Sequence, residues 1–401
     1  MYAACQWGMV VILAKMGTPE MVGQYALGLA VTAPVIMLAN LQLRPILATD
    51  TEREYQFGDY LTLRMLTTAA ALVVIAGIVS VGGYRRDTML VILAVGIAKA
   101  FEALSDVFYG LLQHHERMDW IATSKLLKGP LSLAALGLGV AMTGSVLWGT
   151  VGLALVWMGM LVGYDIRKGA TILNYAHCWT ALRPRGEIKR LKRLVWLAFP
   201  LGLATTCVSL SDAIPRYFLQ RYRGEGDLGI FAAMAYLMVV GGLMVNAMGQ
   251  SAATRLARHY ARGEASAFWS LMVKLLGLAA IVGGTGIAVA SWSGRELLTL
   301  LYRSEYAAHA DVLVWIMVAA AITYLASCLG YGITATRAFN HIVLPYAMVT
   351  LVGVVVAAVL IPAKGMLGGA WTLCAIGVAT CIAPMVAFMT IEYARSAHEP
   401  A

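Results

Sequence analysis

Charge is what this sequence has least of. Asp, Glu, Lys and Arg together make up 13% of its 401 residues, about half the ~25% of an ordinary soluble domain. The scarcity extends over the whole length, and no hydrophilic stretch exceeds about 30 residues, which excludes a soluble domain carrying a single anchor. A Walker A pattern is absent, so ATP hydrolysis by this chain is not expected. Nor does any long loop hold a Ser/His/Asp or paired-carboxylate constellation, which argues against a polymerase or membrane transferase. Cys5, Cys178, Cys207, Cys328, Cys374 and Cys381 show neither CxxC nor metal-ligand spacing, and they are expected to be small core residues with no disulfide framework. His114, His115 and Glu116 are a weak candidate for a metal. Gly283-Gly284-Thr285-Gly286 lies inside an apolar run and fits close helix packing better than a nucleotide loop. No cofactor or metal is expected.

What is abundant is apolar sequence, 60% of the chain. Apolar runs near 1–14, 22–43, 60–83, 88–112, 121–143, 146–164, 194–220, 228–250, 268–292, 312–335, 342–361 and 366–391 are candidate membrane spans, most of them near the ~20 residues that cross a bilayer core of ~30 Å. An all-α integral membrane protein of about twelve helices follows. The longest polar break, 165–193, divides the chain into an N-terminal six-helix bundle (1–164), a basic linker, and a C-terminal six-helix bundle (194–401). The net charge of +9 is accounted for by basic loops facing anionic membrane lipid, with no need of a nucleic-acid partner. Arg44 and Arg53, then Arg117, Lys125 and Lys128, the linker, Arg255, Arg258 and Arg262, and finally Arg337 and Arg395 fall on alternate connections. These carry roughly twice the basic residues of the opposite set, which places both termini in the cytoplasm.

One stretch occurs twice. Gly23 to Arg44 reads GQYALGLAVTAPVIMLANLQLR, and Gly229 to Gln250 reads GIFAAMAYLMVVGGLMVNAMGQ. Without a gap, Gly23 falls on Gly229, Tyr25 on Phe231, Ala26 on Ala232 and Asn40 on Asn246. A repeated membrane helix implies a repeated half-molecule, the plan on which many secondary transporters are built.

The Gly-x-Tyr-Ala start of this repeat and its ANLQLR ending (Ala39 to Arg44) resemble the O-antigen and capsule flippases known as polysaccharide biosynthesis proteins. So do IPRYFL (Ile214 to Leu219), LGIFAAMAYLMVVGG and VNAMGQSAATRLARHYARG (Val245 to Gly263). These proteins belong to the multidrug/oligosaccharidyl-lipid/polysaccharide exporter superfamily, and the resemblance covers essentially the whole chain. It implies two six-helix bundles around a central cavity that opens alternately to each side of a bacterial inner membrane. It further implies an undecaprenyl-pyrophosphate-linked oligosaccharide as cargo, carried from the cytoplasmic to the periplasmic leaflet. Membrane lipids and other surface-polysaccharide assembly proteins are the implied partners. The short first span departs from the family pattern.

Such a task needs cations, amides and aromatics at membrane depth, and intramembrane charges are functional suspects. Lys99, Glu102 and Asp106, with Gln113 beyond, share one helical face; they form either a cavity-facing stripe, Lys99 on substrate and the acids coupled to an ion, or an intrahelical Lys99–Glu102 pair that fixes packing. Aligning Tyr109-Gly110 with Tyr331-Gly332 sets Ala321, Tyr324 and Cys328 opposite the three charges, so the bundle itself does not require them. Asp212 and Arg216 flank Pro215 and are candidates for ion coupling and phosphate contact, or for a surface ion pair. Arg64 and Lys274 either take phosphate oxygens or snorkel to headgroups. Arg44 is a further candidate phosphate ligand beside Asn40, and Arg337 is a similar boundary residue. Asn40, Asn246 and Gln250 bond either sugar or a neighbouring helix.

Two other functions stay open: a cation-coupled multidrug exporter of the same superfamily, and a membrane glycan-assembly enzyme or scaffold. The repeat alignment also bears on the N-terminus. It starts the partner of the 194–220 span about 12 residues before Met1, and a run of 14 residues reaches only about 21 Å. Lys15 follows this run, unlike the basic head of a signal peptide. Additional natural residues before Met1 are expected, and mass spectrometry of the natively expressed protein showing Met1 as its start would refute this.

Overall fold

The structure is a computed structural model that describes residues 1–50, 54–173, 187–336 and 343–396. Arg53, Cys178, Arg337 and most of the basic linker lie outside the described residues. The chain divides into two compact units, Met1–Ser209 and Leu210–Ala401.

Unit 1 holds α1 (Tyr2–Met16), α2 (Pro19–Asn40), α3 (Leu43–Thr49), α4 (Phe57–Val81), α5 (Arg86–His114), α6 (Met118–Thr143), α7 (Val146–Met160), a π turn (Leu161–Asp165) and α8 (Ile166–Ile172), followed by the first part of α9 (Ile188–Ala235). Unit 2 holds the rest of α9, α10 (Met238–Ala261), α11 (Ala265–Leu301), α12 (Ser304–Ala307), α13 (Ala310–Thr336), α14 (Val343–Lys364) and α15 (Met366–Ser396). Among the described residues, ten stretches are long and apolar enough to cross a membrane. One of them, Ile188–Ala261, spans both the seventh and eighth expected helices, and α1 is the short first one. The protein is an all-α, multi-pass membrane protein.

Polar caps punctuate the apolar runs. Thr18 Oγ1 accepts the Met21 N–H at 3.4 Å ahead of Pro19 and Glu20, a start that suits an N-cap and the helix dipole. Gln56 and Asp59 form a capping box on α4. The α6 helix stops at Gly144, whose φ of 65° an L side chain rarely adopts.

The end of α2 is different. Leu41 and Gln42 take φ of 48° and 51° in succession, a left-handed pair costing roughly 1–3 kcal/mol per residue. Tertiary contacts hold it: Leu41 is buried in a cluster with Leu43, Leu47, Tyr60, Leu194 and Ala198, and Gln42 Nε2 donates to Thr205 Oγ1 at 3.3 Å. The turn lays α3 along α5. In the repeat copy α10 runs uninterrupted through Asn246, and the break comes earlier, at Tyr236–Leu237. There Tyr302 Oη donates to the Ala233 carbonyl at 2.8 Å and Tyr324 Oη to the Met238 carbonyl at 2.5 Å. Homologous starts therefore lead to different ends.

In unit 1, α5 packs against α2, α3, α4 and α7 and is the centre of the bundle. The α6–α7 contact is made by backbone: a Cβ on Gly139 would lie 2.7 Å from Gly149 Cα. Gly139→Leu should wedge these helices apart and destabilise the protein by about 1–3 kcal/mol. Gly159→Leu, at a position with open space around it, should be neutral or stabilising, as helix propensity favours Leu over Gly. Thermal unfolding in detergent compares the two, and equal midpoints would refute the packing role.

Candidate functional site

The polar face of α5 points into unit 1 and gathers ionisable side chains from α1, α3, α4, α6 and the π turn. Hydrocarbon tolerates charge only when it is paired or hydrated, and this face meets that demand at two places about one to two turns apart.

At the first, Asp106 joins two guanidinium groups. Arg44 on α3 donates through Nη1 to Asp106 Oδ1 at 3.3 Å and through Nε to Gln113 Oε1 at 3.2 Å. Arg64 on α4 places Nη2 3.5 Å from Asp106 Oδ2, and its Nη1 donates to Asn40 Oδ1 at the end of α2. Arg64 is fully buried, and its Nε and Nη2 have no hydrogen-bond partner. Arg44 stays partly accessible, stacked 5.7 Å from the Tyr109 ring. The left-handed turn at Leu41–Gln42 matters here, because it delivers Arg44 to the face of α5. Snorkelling, one of the two readings of Arg64, is thereby corrected: the guanidinium turns into the bundle, where Asp106 and Asn40 compensate its burial.

At the second place, Lys99 Nζ pairs with Glu102 Oε2 at 2.8 Å, and Tyr2 Oη on α1 donates to Glu102 Oε1 at 2.9 Å. The Lys99–Glu102 ion pair is present on the inward-turned face of α5. Trp157 on α7 lies beneath two ammonium groups, Lys99 at 5.2 Å and Lys128 at 4.4 Å from the ring centroid. Close by, Ser124 Oγ donates to Asp165 Oδ1 at 2.7 Å and shares a hydrogen bond with Tyr109 Oη at 2.9 Å.

Lys128 and Asp165 were not recognised in the sequence as site residues. Lys128 belongs with a cytoplasmic connection by charge counting, yet it is buried in α6. Asp165 heads the linker by hydropathy, yet the π turn carries the helix on to Ile172 and leaves Asp165 fully buried. A signal for Lys128 was present: Ser124, Lys128 and Ser132 recur every four residues, which puts them on one helical face. Asp165 has no such signal, since only the π turn aims it inward.

The candidates in unit 2 do not converge in this way. Lys274 on α11, Asn246 and Gln250 on α10 and Asp212 on α9 are exposed, and Arg216 is half-buried. Tyr331 Oη donates to the Asn246 side chain and carbonyl, both at 3.3 Å. At positions that align in sequence with the α5 charges, Tyr324 and Cys328 of α13 sit in an apolar cluster with Val245, Met272 and Ala320. Among the described residues no group of three or more His, Cys, Asp and Glu side chains is placed to hold a metal ion.

The polysaccharide biosynthesis protein family profile matches residues 4–254. The capsular polysaccharide biosynthesis protein CapF of Staphylococcus aureus is 25% identical over 372 residues, 92% of this chain and 91% of that one. In fold, the chain is similar to an inward-facing multidrug resistance MATE family transporter of the MOP superfamily, with a TM-score of 0.73 at 14% identity over 99% and 95% of the two chains. It is equally similar to the lipid II flippase MurJ in an inward closed conformation, with a TM-score of 0.73 at 12% identity over 98% and 86%.

The geometry makes Asp106 the counter-ion on which Arg64 depends. Asp106→Ala should cost about 3–5 kcal/mol by leaving a buried guanidinium uncompensated. The double change Arg64→Leu/Asp106→Ala should recover most of that loss, read as coupling in a thermal-unfolding cycle. Strictly additive effects would show that the pair does not interact.

Proposed function

The chain belongs to the polysaccharide biosynthesis protein family, and from that membership and the cation excess inside unit 1 we propose that it flips an undecaprenyl-pyrophosphate-linked oligosaccharide from the cytoplasmic to the periplasmic leaflet of a bacterial inner membrane. The observation that carries this reading is the balance of charge: Arg44, Arg64, Lys99, Lys125 and Lys128 against Glu102, Asp106 and Asp165, all on the helices of unit 1. A phosphate headgroup cannot cross hydrocarbon bare, and charge-assisted bonds from guanidinium and ammonium groups replace its hydration. Arg44 and Lys99, both partly accessible, make those contacts. Arg64 and Asn40 hold Asp106 and Arg44 in place. Lys274, Arg216, Asn246 and Gln250 of unit 2 are assigned to the glycan and its phosphates. Alternating access, the general mechanism of repeat-built transporters, offers the site to one leaflet and then the other with both termini in the cytoplasm. The cycle is driven either by an ion gradient acting through Glu102, Asp106 or Asp212, or by downhill consumption of the cargo outside. Other surface-polysaccharide assembly proteins are the partners that receive the cargo.

The names of the relatives support the same direction: one is called a capsular polysaccharide biosynthesis protein and one structural neighbour a lipid II flippase. Export of cationic drugs, the other reading within this fold, calls for an acidic chamber, and the net positive charge of unit 1 disfavours it.

Reconstituted proteoliposomes loaded with a defined lipid-linked oligosaccharide test the proposal. The protein should move cargo to the opposite leaflet, where an added glycosidase reaches it, and Arg44→Gln should slow this about 10–100-fold, the loss of one charge-assisted hydrogen bond. An unchanged leaflet distribution with the wild-type protein would remove the hypothesis. Raised drug tolerance on overexpression, with no flipping, would favour the exporter.

A further inference from the structure

Where α6 begins, two cations share one indole. Arg117 stands 3.7 Å and Lys168 of α8 4.3 Å from the centroid of the Trp120 ring. That ring is held in place, since Trp120 packs with Ile172 against Tyr109, Leu112 and Ile121. Arg117 is already neutralised: its Nε donates to Asp119 Oδ1 at 3.0 Å and its Nη2 to Asp119 Oδ2 at 2.9 Å. Both oxygens of that carboxylate are thereby engaged. Lys168 has no such partner. Its half-buried ammonium reaches two rings, Trp120 and, at 5.7 Å, Tyr164, and among the described residues it makes no hydrogen bond and no ion pair. An ammonium brings three donors, and a ring face attracts it without offering an acceptor oxygen. The Trp120 indole N–H and the Tyr164 hydroxyl also lack a hydrogen-bond partner among the described residues. Three kinds of unmet donor therefore surround one surplus positive charge.

This cluster stands where unit 1 leaves the hydrocarbon. Leu155, Met158 and Val162 are exposed along α7 and the π turn. A Cβ on Gly163 would meet nothing within 4 Å, so beside Val162 there is room for a hydrocarbon chain. Tyr164 and then Lys168 follow toward the helix end. Tyrosine and tryptophan settle at headgroup depth, and lysines there attract anionic lipid. Apolar room below and unmet donors above match a phospholipid, whose phosphodiester supplies acceptor oxygens and negative charge together. A soluble anion would use the donors and leave the apolar strip idle.

We infer that Trp120, Tyr164 and Lys168 seat the headgroup of an anionic phospholipid from the leaflet at this end of unit 1. Lys168 pairs with the phosphodiester, and Val162 and Gly163 flank an acyl chain. The bound lipid is a structural ligand that ties the end of α8 to the start of α6. The inference does not depend on what the protein carries, because it uses no residue of the charged α5 face.

Native mass spectrometry of the full chain in detergent, titrated with dioleoylphosphatidylglycerol or dioleoylphosphatidylcholine, measures this binding. The wild type should retain one phosphatidylglycerol at least about fivefold more tightly than phosphatidylcholine, the worth of one lysine at an anionic surface. Lys168→Gln should erase that preference. Trp120→Phe, which keeps a ring but loses the N–H donor, should reduce it in part. Arg167→Gln removes an exposed charge next door and should leave the preference within about twofold. Melting midpoints in lipid-free detergent check that each variant is folded. No preference for phosphatidylglycerol in the wild type would overturn the inference. So would equal losses from Lys168→Gln and Arg167→Gln, which would show only a general attraction to surface charge. Glycerol phosphate, a headgroup without chains, should bind far more weakly, and an affinity equal to the lipid's would replace the lipid seat by a soluble-anion site.

Discussion

Hydrocarbon cannot solvate charge, and the architecture of unit 1 is governed by that constraint. Once Lys99, Glu102 and Asp106 occupy one face of α5, the face must turn inward, and every helix that covers it must bring compensation. Arg44 and Arg64 come from α3 and α4, Asn40 from α2, Tyr2 from α1, Lys128 from α6 and Trp157 from α7. The central position of α5 follows from the same requirement. A helix with its charges in the middle has to be surrounded.

The cost appears where the backbone is least comfortable. Two successive left-handed residues at Leu41–Gln42 have no counterpart at the end of the repeated helix in unit 2, where α10 passes straight through the matching asparagine. The strain is confined to the copy that has to place an arginine on the charged face. In unit 2 the face matching α5 carries Tyr324 and Cys328 within an apolar cluster, so packing alone suffices there. Duplicated helices have been put to unequal use: the N-terminal copy ends beside the charged face of α5, whereas the C-terminal copy packs through Val245 against the apolar cluster of Tyr324 and Cys328.

The fold was largely legible because twenty-residue apolar runs have few alternatives in a membrane. Cap residues such as Thr18 and Gly144 mark ends that hydropathy alone blurs. The inward stripe of α5 was legible too, since its spacing fixes one face whatever the neighbours are. The destinations of single cations were harder. Arg64 and Lys274 look alike in sequence, each a lone cation inside a span, yet one is buried against Asp106 and the other is exposed. The difference lies in the partner helix: α5 offers a carboxylate to Arg64, whereas unit 2 has Tyr324 and Cys328 opposite the positions of the α5 charges. Lys128 was misplaced because counting loop charges treats a lysine near a span end as exterior, and only its serine neighbours one turn away on each side betray an inward face. Asp165 depended on a π turn, a one-residue insertion that no periodicity announces.

If the cargo is the anionic lipid of the proposed function, the pairing of these charges has a consequence for its transport. Cations alone at this depth would hold a phosphate too well, and a carrier has to bind firmly enough to load yet loosely enough to release. Asp106 and Glu102 limit that affinity because they give Arg44 and Lys99 an alternative partner once the cargo leaves. On the proposed function, a phosphate entering the site would exchange places with a carboxylate rather than fill a void, so the guanidinium and ammonium groups would be compensated in both states. The two acids therefore lower the barrier to release as well as the cost of the empty site. Under the proposed function the acids of α5 serve the transport cycle whichever driving force acts, because they compensate Arg44, Arg64 and Lys99 when no cargo is bound.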